Sequence, residues 1–578
     1  MIQSKFIRKS WSVLMFFMIT VARDSFAQQR KVWASGMARS VFQQNKFESD
    51  NDSITPRKNN SGHALVDLEL NAAPNEQTYL NAMVRIRNDF GGFWGSGVTF
   101  DVRQLYLKGL IKNSIRYQLG DFNYKLTPYT FYSNSEELSG QQNQILDIYR
   151  NMVHQDWFLN MDNTWRQQGG TVDFGLQFDE NKLLQDIDVT TFVSRVNTSI
   201  QKNQNERIFY GGAVKFNHNK NLASGVNYAE LTDIRGTSKS TDFISNSVLT
   251  GMLQLKLFAK SKNPFLIKSE VGTSKLNITE SGKSNGMDDY FYDVSFKYTD
   301  KKGLFNVLLE YRNVGPGFRS VGSQSKRVNW DAANLLVPRY STSQMLRPLT
   351  SMDIAQDAAL FRYNFNIDLD AFNPWYDNIN PYGKSTPNRK GFTLTGESKN
   401  KANNLNLKVN AQYFTEIIGQ GIANQRDFYS LNCRGQIYLN KFFTAMKREL
   451  SVNVNYAMQN TLRTTNLSQA DIKLNSAVTD LGFKWEFAES FFIIFTFRNI
   501  VADGNEFLSV RNTMTEVIDF TPVSTSLSEK LILSALQYKF SANSQLTAIW
   551  QKMNWNDSKS NKPAFGLNQF AIVYNLNF

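Results

Sequence analysis

The sequence predicts an all-β chain: one antiparallel β-barrel that crosses a membrane. Three observations predict it. Apolar and polar residues alternate in segments of about ten residues, from near residue 32 to Phe578. Beyond residue 27 no apolar run approaches the length of a membrane helix; the longest lies near 491–497, and Thr496 interrupts it. The segments end in aromatics (Tyr298, Tyr311, Tyr413, Phe414, Trp485, Trp550, Trp555), as belts at lipid headgroups do.

The alternation is explicit. Ala64, Val66, Leu68 and Leu70 interleave with Leu65, Asp67, Glu69 and Asn71. Leu80, Ala82, Val84 and Ile86 interleave with Asn81, Met83, Arg85 and Arg87. The same period recurs at 172–178, 292–298, 405–413 and 450–458. Neighbouring side chains of a strand face opposite sides of a sheet, so each segment carries one apolar and one polar face. A sandwich alternates too. The strand length, the recurrence along the whole chain and the aromatic ends favour a membrane barrel, which leaves no unpaired edge in lipid. Short polar stretches, 217–221 and 300–303, fit tight connections between antiparallel neighbours. At roughly 25–30 residues per strand with its connection, the expected count is about 18 strands, within a range of 16–22.

Residues 1–27 read as an export signal. Lys5, Arg8 and Lys9 precede a short apolar stretch, 11–22, and Ser25-Phe26-Ala27 places small residues before Gln28. The expected organisation is a cleaved signal at 1–27 and a barrel over 28–578. The one cysteine, Cys433, excludes an intrachain disulfide. The chain is 41% hydrophobic, which excludes disorder, and its mean hydropathy of −0.40 excludes a bundle of membrane helices. Its net charge of +13 suits nucleic acid, anionic lipid or an anion-lined pore, and export removes the first.

Phe570, Ile572, Tyr574, Leu576 and Phe578 share one face of the last segment. This alternation with a terminal Phe resembles the insertion signal of bacterial outer-membrane β-barrel proteins, and the Asn- and Lys-rich style resembles those of Bacteroidota. The resemblance implies residence in the outer membrane and delivery by barrel-assembly machinery, with Tyr574, Leu576 and Phe578 as the signal. The expected partners are outer-membrane lipid, that machinery and other envelope proteins, with no nucleic acid.

Two inserts interrupt the pattern. Residues 126–165 contain Glu136, Glu137, Trp157 and a helix-like stretch at 144–152; residues 313–390 contain Gly315-Pro316-Gly317-Phe318-Arg319, Trp375, Tyr376 and Tyr382, with a strand-like piece near 359–368. Loops this long form a constriction, a plug or a docking surface, or else pack as ordinary external loops on the barrel rim. A plug domain of over 100 residues before the barrel, as in TonB-dependent receptors, is not expected, because alternation begins soon after the signal.

The sequence carries no recognisable catalytic or metal-binding pattern. His63, His154 and His218 are far apart in sequence, which argues against a metal site. Residues 279–284 mimic the tail of a phosphate loop, but position 277 is Asn where a Gly is needed. Ser284-Asn285-Gly286 is similar to the serine segment of outer-membrane phospholipases, but position 282 is Gly where those carry His. Paired carboxylates such as Asp288-Asp289 would point to opposite faces of a strand. No cofactor and no enzyme activity are expected; a site assembled from distant strands is the minor alternative.

Two functions compete. The first is a porin-like channel for small or anionic solutes, with Arg85, Arg87 and Arg319 as candidate pore lining and Lys256, Lys297, Lys408 and Lys539 on the polar face. Those charges could equally pair with Asp67, Glu69, Asp173 and Asp293. The second is a non-conducting barrel subunit of a secretion or assembly complex, docking partners through Trp375, Tyr376 and Tyr382.

Overall fold

The computed structural model describes residues 31–50, 57–90, 98–134, 162–178, 183–197, 205–258, 264–300, 302–324, 369, 372, 374–375, 378–400, 404–443, 445–559 and 563–578. The signal at 1–27 and the stretches at 144–152 and 359–368 lie outside them. Among the described residues there are 22 strands. The first eleven are β1 (Val32–Ser49), β2 (Arg57–Asn75), β3 (Thr78–Asp89), β4 (Val98–Ile111), β5 (Ile115–Tyr124), β6 (Trp165–Gln177), β7 (Asp186–Asn197), β8 (Glu206–Asn217), β9 (Leu222–Ile234), β10 (Phe243–Leu257) and β11 (Phe265–Glu280). The rest are β12 (Lys283–Thr299), β13 (Phe305–Val314), β14 (Arg389–Lys399), β15 (Leu405–Thr415), β16 (Asp427–Tyr438), β17 (Leu450–Arg463), β18 (Ile472–Ala488), β19 (Phe491–Arg511), β20 (Val517–Ser541), β21 (Ser544–Asp557) and β22 (Phe565–Asn577).

Each strand pairs antiparallel with its neighbours in the chain, and β22 pairs with β1, so the sheet closes into a ring. The expected barrel class holds. The count lies at the top of the expected range of 16–22 and above the favoured 18, because many connections are very short and the strands therefore come more densely along the chain. Lys112 and Asn113, between β4 and β5, take positive φ (49° and 56°), the conformation that matches a tight turn to strand twist. Ser281 and Gly282 do the same (50° and 80°) between the paired Glu280 and Lys283. The segment that mimicked a phosphate loop is therefore a hairpin turn.

The two ends of the barrel differ. Connections from even to odd strands are short; that between β18 and β19 is Glu489-Ser490 alone. Connections from odd to even strands include both inserts, which follow β5 and β13. Short turns at one rim and long loops at the other are the pattern of outer-membrane barrels, with the long loops outside the cell.

Side chains sort by face as the alternation predicts. Val66, Leu70, Leu80, Ile86, Phe296, Leu394, Val409 and Phe570 are exposed, whereas Asp67, Asn81, Arg85, Asp293 and Gln569 are buried. Aromatics on the apolar face collect near the rims. Phe265, Tyr298 and Phe305 meet near the short-turn rim, while Tyr311 with Phe392 and Tyr413 with Tyr429 meet near the other. Phe414 and Trp555 were expected in these belts. Phe414 instead faces inward, fully buried, under the guanidinium of Arg312, and Trp555 packs on the inward cluster of Ile500, Ala502 and Leu527. The inward face is also more apolar than alternation suggested: Ile494, Leu531, Leu533, Ile549 and Val573 are buried on it.

Candidate functional site: a lumen plug above a basic vestibule

The described parts of both inserts turn into the barrel. Stretches 126–134, 315–324 and 378–388 are almost wholly buried and bond to one another. The Asn134 side-chain amide donates to the carbonyls of Ser323 (2.8 Å) and Tyr382 (3.0 Å). Gln324 donates to the carbonyls of Phe318 (3.0 Å) and Ser385 (2.8 Å). The Tyr132 N–H donates to the Gly322 carbonyl at 2.9 Å. Buried polar loops persist only when their groups are paired, and here each stretch supplies partners for the others. Gly383 takes φ +74° and leaves no room for a Cβ beside Asn134.

The assembly is tied to inward side chains around the wall. On β10, Asn246 donates to the Arg319 carbonyl (3.0 Å) and accepts from the Val321 N–H (2.9 Å). On β11, Ser274 Oγ accepts from the Arg319 N–H at 2.9 Å. On β12, Asp293 accepts from the Tyr129 hydroxyl at 2.6 Å, and the Tyr129 ring stacks on Phe291 with centroids 3.8 Å apart. Far round the ring, Asn378 donates to Thr461 of β17 (2.7 Å) and Glu506 of β19 (2.6 Å). A structure bonded to β10 and to β19 spans the lumen.

Two ionic groups anchor it. Lys384 bonds Glu310 on β13 and lies 3.9 Å from Asp293. Burial alone would push the Lys384 ammonium down, but Glu310 and Asp293 outweigh it and hold the ammonium above its ordinary value. Nearer the long-loop rim, Arg426 joins Glu416 (2.7 Å) to Glu506 (3.0 Å), and the Arg389 guanidinium lies 3.9 Å from the Phe428 ring centroid. The β19–β20 hairpin leans over this rim: Thr513 bonds Glu280, and the Met514 carbonyl accepts from Asn285 at 3.3 Å.

The candidate residues fall in different places. Arg85 faces inward but is only 4% exposed, and it forms a bidentate pair with Asp67, both bonds 2.6 Å. Arg87 has the same inward parity on β3. Arg319 is buried in the plug, and its guanidinium donates to the carbonyls of Pro316 and Phe318. Burial and the nearby Arg511 push it below its ordinary pKa. The three arginines therefore form no exposed pore ring. Tyr382 is buried and half-buried Trp375 packs inward on the cluster around Ile500; Tyr376 lies outside the described residues.

Below the plug, toward the short-turn rim, basic side chains line the inward face. Lys256, Lys268, Lys297, Lys399, Lys408 and Arg434 come from β10, β11, β12, β14, β15 and β16, with the inward parity of Thr250, Ser274, Asp293, Thr393, Phe414 and Phe428. Lys408 meets Glu397 at 2.6 Å. Sequence reading found Lys256, Lys297 and Lys408; Lys268, Lys399 and Arg434 could have been found by carrying the same parity along their strands. His63 accepts from Arg39 at 3.4 Å and His218 bonds Ser224, while His154 lies outside the described residues. Among the described residues no cluster of His, Cys, Asp and Glu could hold a metal.

No family model matches the chain, and no curated protein matches it. Among solved structures, OccAB4 of Acinetobacter baumannii is 9% identical, with 95% of this chain and 99% of that one covered and a TM-score of 0.30. A BenF-like porin from Pseudomonas fluorescens Pf-5 is 10% identical, with 95% and 99% covered and a TM-score of 0.33. In an E. coli P pilus tip assembly intermediate, PapC-PapD-PapK-PapG, a chain is 10% identical, with 96% and 62% covered and a TM-score of 0.40. Likeness at this level is too slight to bear on activity; the fold rests on the closed strand ladder itself.

Proposed function

We propose that this chain is a porin-like channel of the bacterial outer membrane that passes small anionic solutes through a lumen gated by its own inserts. The observation that carries the reading is the arc of inward basic side chains beneath the plug. An inward basic arc enriches anions along a pore, because a confined lumen screens its charges less than open water does. The exposed apolar face and its two aromatic belts support the membrane assignment. The plug supports gating: its polar attachments are hydrogen bonds and ion pairs, which can break and re-form, while Phe131, Phe318, Val321 and Ile379 pack on apolar side chains of the wall.

Planar-bilayer recording of the folded, detergent-purified protein tests this. The expected result is small or intermittent openings whose reversal potential in a salt gradient shows anion preference. Cation preference would overturn the solute class. A barrel that stays closed even after the plug contacts are weakened would favour the second reading, a non-conducting barrel in an envelope complex. The extent to which buried loops fill the lumen is the observation that keeps that reading in play.

A further inference from the structure

The ring of strands is not closed along its whole height. Between β4 and β5 the ladder runs from the Ile111–Ile115 pair up to Tyr106–Gly120 and stops. Above it, Phe100 and Val102 of β4 pair with Ile86 and Val84 of β3 and, among the described residues, with no strand on the other side. The top of β5, 121–124, continues on β6 instead. We propose that this slot is a lateral opening from the lumen to the outer leaflet, and that it admits the hydrocarbon chain of a lipid. The opening goes beyond the channel reading and stands without it.

The break has local causes. Gly120 takes φ +98°, and a Cβ there would meet the Leu105 carbonyl. The next residue, Asp121, accepts from the Leu105 N–H through its side chain at 2.6 Å, where a continuing ladder would offer a strand carbonyl. Gly120 faces Gly169 of β6, the residue at which the ladder between β6 and β7 also ends. Above both glycines β5 leans into the lumen. Phe122 is buried with Phe192 and Phe209, on the inward face of β7 and β8, and the Tyr124 ring centroid lies 5.2 Å from that of Phe192.

Depth and exposure argue for a hydrocarbon chain. Phe100 lies eleven residues from Ile111 along β4, toward the long-loop rim. That is about 36 Å of strand and, at the usual tilt, about 28 Å of depth, so the slot lies in the outer half of a core ~30 Å thick. Its outward lip is apolar: Phe100, Val102 and Leu105 are 70%, 67% and 56% exposed, against 48% for Phe296 and Leu394, which have strands on both sides. Thr99 and Asp101, on the other face of β4, are exposed too, so the lip is open from within as well as from without. At this depth a strand edge is tolerated only against protein or a water-filled cavity, which connects the slot to the lumen. An ion or a sugar gains nothing at an apolar lip that faces lipid. An acyl chain is already there, because the lip continues the lipid-facing wall.

Fluorescence quenching in lipid vesicles tests this. On a Cys433→Ser background, bimane is attached at Gln104→Cys, at Lys408→Cys or at Leu394→Cys. Gln104 has inward parity beside the slot, opposite Met83; Lys408 is inward on closed wall; Leu394 is outward. Lipids with a mid-chain nitroxide should quench the probe at 104 as fully as at 394 and leave that at 408 bright. Equal brightness at 104 and 408 would overturn the opening. A retained heat-modifiable band in gels would show that each labelled variant is folded. The unsubstituted barrel gives a second reading in vesicles of a lipid carrying a diazirine in its chain. Photo-adducts on Thr99, Asp101 or Gln104 are expected; adducts confined to outward residues such as Phe100, Val102 and Leu394 would again overturn it. Quenching at 104 in a barrel that never conducts keeps the opening and removes the channel; conductance with a bright probe at 104 does the reverse.

Discussion

Lys384, in the second insert, is ion-paired with Glu310 on the inward face of β13, 74 residues earlier in the chain. The Glu310 side chain is 3% exposed and that of Lys384 a third exposed, so water competes poorly at the carboxylate end of the bond. It fastens the loops inside the lumen to the barrel wall.

Lys384→Met should loosen that attachment. Losing one partner of a mostly buried pair costs about 1–3 kcal/mol, or roughly a tenfold to hundredfold rise in the unlatched population. The expected readout is longer or larger bilayer openings and faster proteolysis within 325–388. Unchanged openings and cleavage would mean that the hydrogen bonds of Asn134, Gln324 and Asn246 hold the plug without it.

Arg85 gives the opposite expectation. Its charge is spent on Asp67, so Arg85→Ala should leave anion selectivity unchanged while removing about 3–5 kcal/mol, the usual penalty for leaving a buried carboxylate alone. Gel-shift thermal unfolding would show the loss. A fall in anion preference would instead return Arg85 to the conduction path.

The outward face can be tested with Leu394→Arg. Leu394 is 48% exposed on β14, and an arginine near the bilayer midplane costs about 2–4 kcal/mol. Urea unfolding from lipid vesicles should report it.

The closing seam is narrow at one point. Phe578 and Gly36 exchange two backbone hydrogen bonds, 2.8 and 2.9 Å, and a Cβ at Gly36 would meet the Asp67 carbonyl and the Phe578 ring. Gly36→Val, and separately removal of Phe578, should lower the fraction of chain that reaches the heat-modifiable form. Tyr574 and Leu576 lie on the same ladder, opposite Ser40 and Ala38, and Tyr574 also bonds Ser544 at 3.0 Å.

The wall was legible because its cause is local. Alternation at Val66, Leu80 or Leu407 needs only a strand with lipid on one side. Strand number was less legible, since it depends on turns as short as Glu489-Ser490, which leave little mark between two apolar segments. The plug was legible as two unusual inserts and no further. Whether Tyr382 faces a partner or Asn134 is decided by contacts 248 residues apart. Arg85 was read correctly as inward, and its neutralisation by Asp67 was one of two options until the register placed them opposite each other. Phe414 and Trp555 misled because an aromatic near a strand end suits a headgroup belt and an inward rim equally well.

The ring of nearest-neighbour ladders has a consequence for how such a barrel changes over generations. Every pairing but one joins consecutive strands, so duplicating a hairpin leaves the existing ladders intact and only lengthens the chain to be closed at the β1–β22 seam. Closure entropy grows with the logarithm of length, about 0.6 kcal/mol per doubling, so one added hairpin in so long a chain adds only a small fraction of that. By itself the wall is thus almost indifferent to its own circumference. The plug is not: it must touch Asn246 on one side and Glu506 on the other, and a wider ring would pull one of them away. A gained or lost hairpin would therefore be felt first inside the lumen, and relatives with a different circumference should differ first in their inserts.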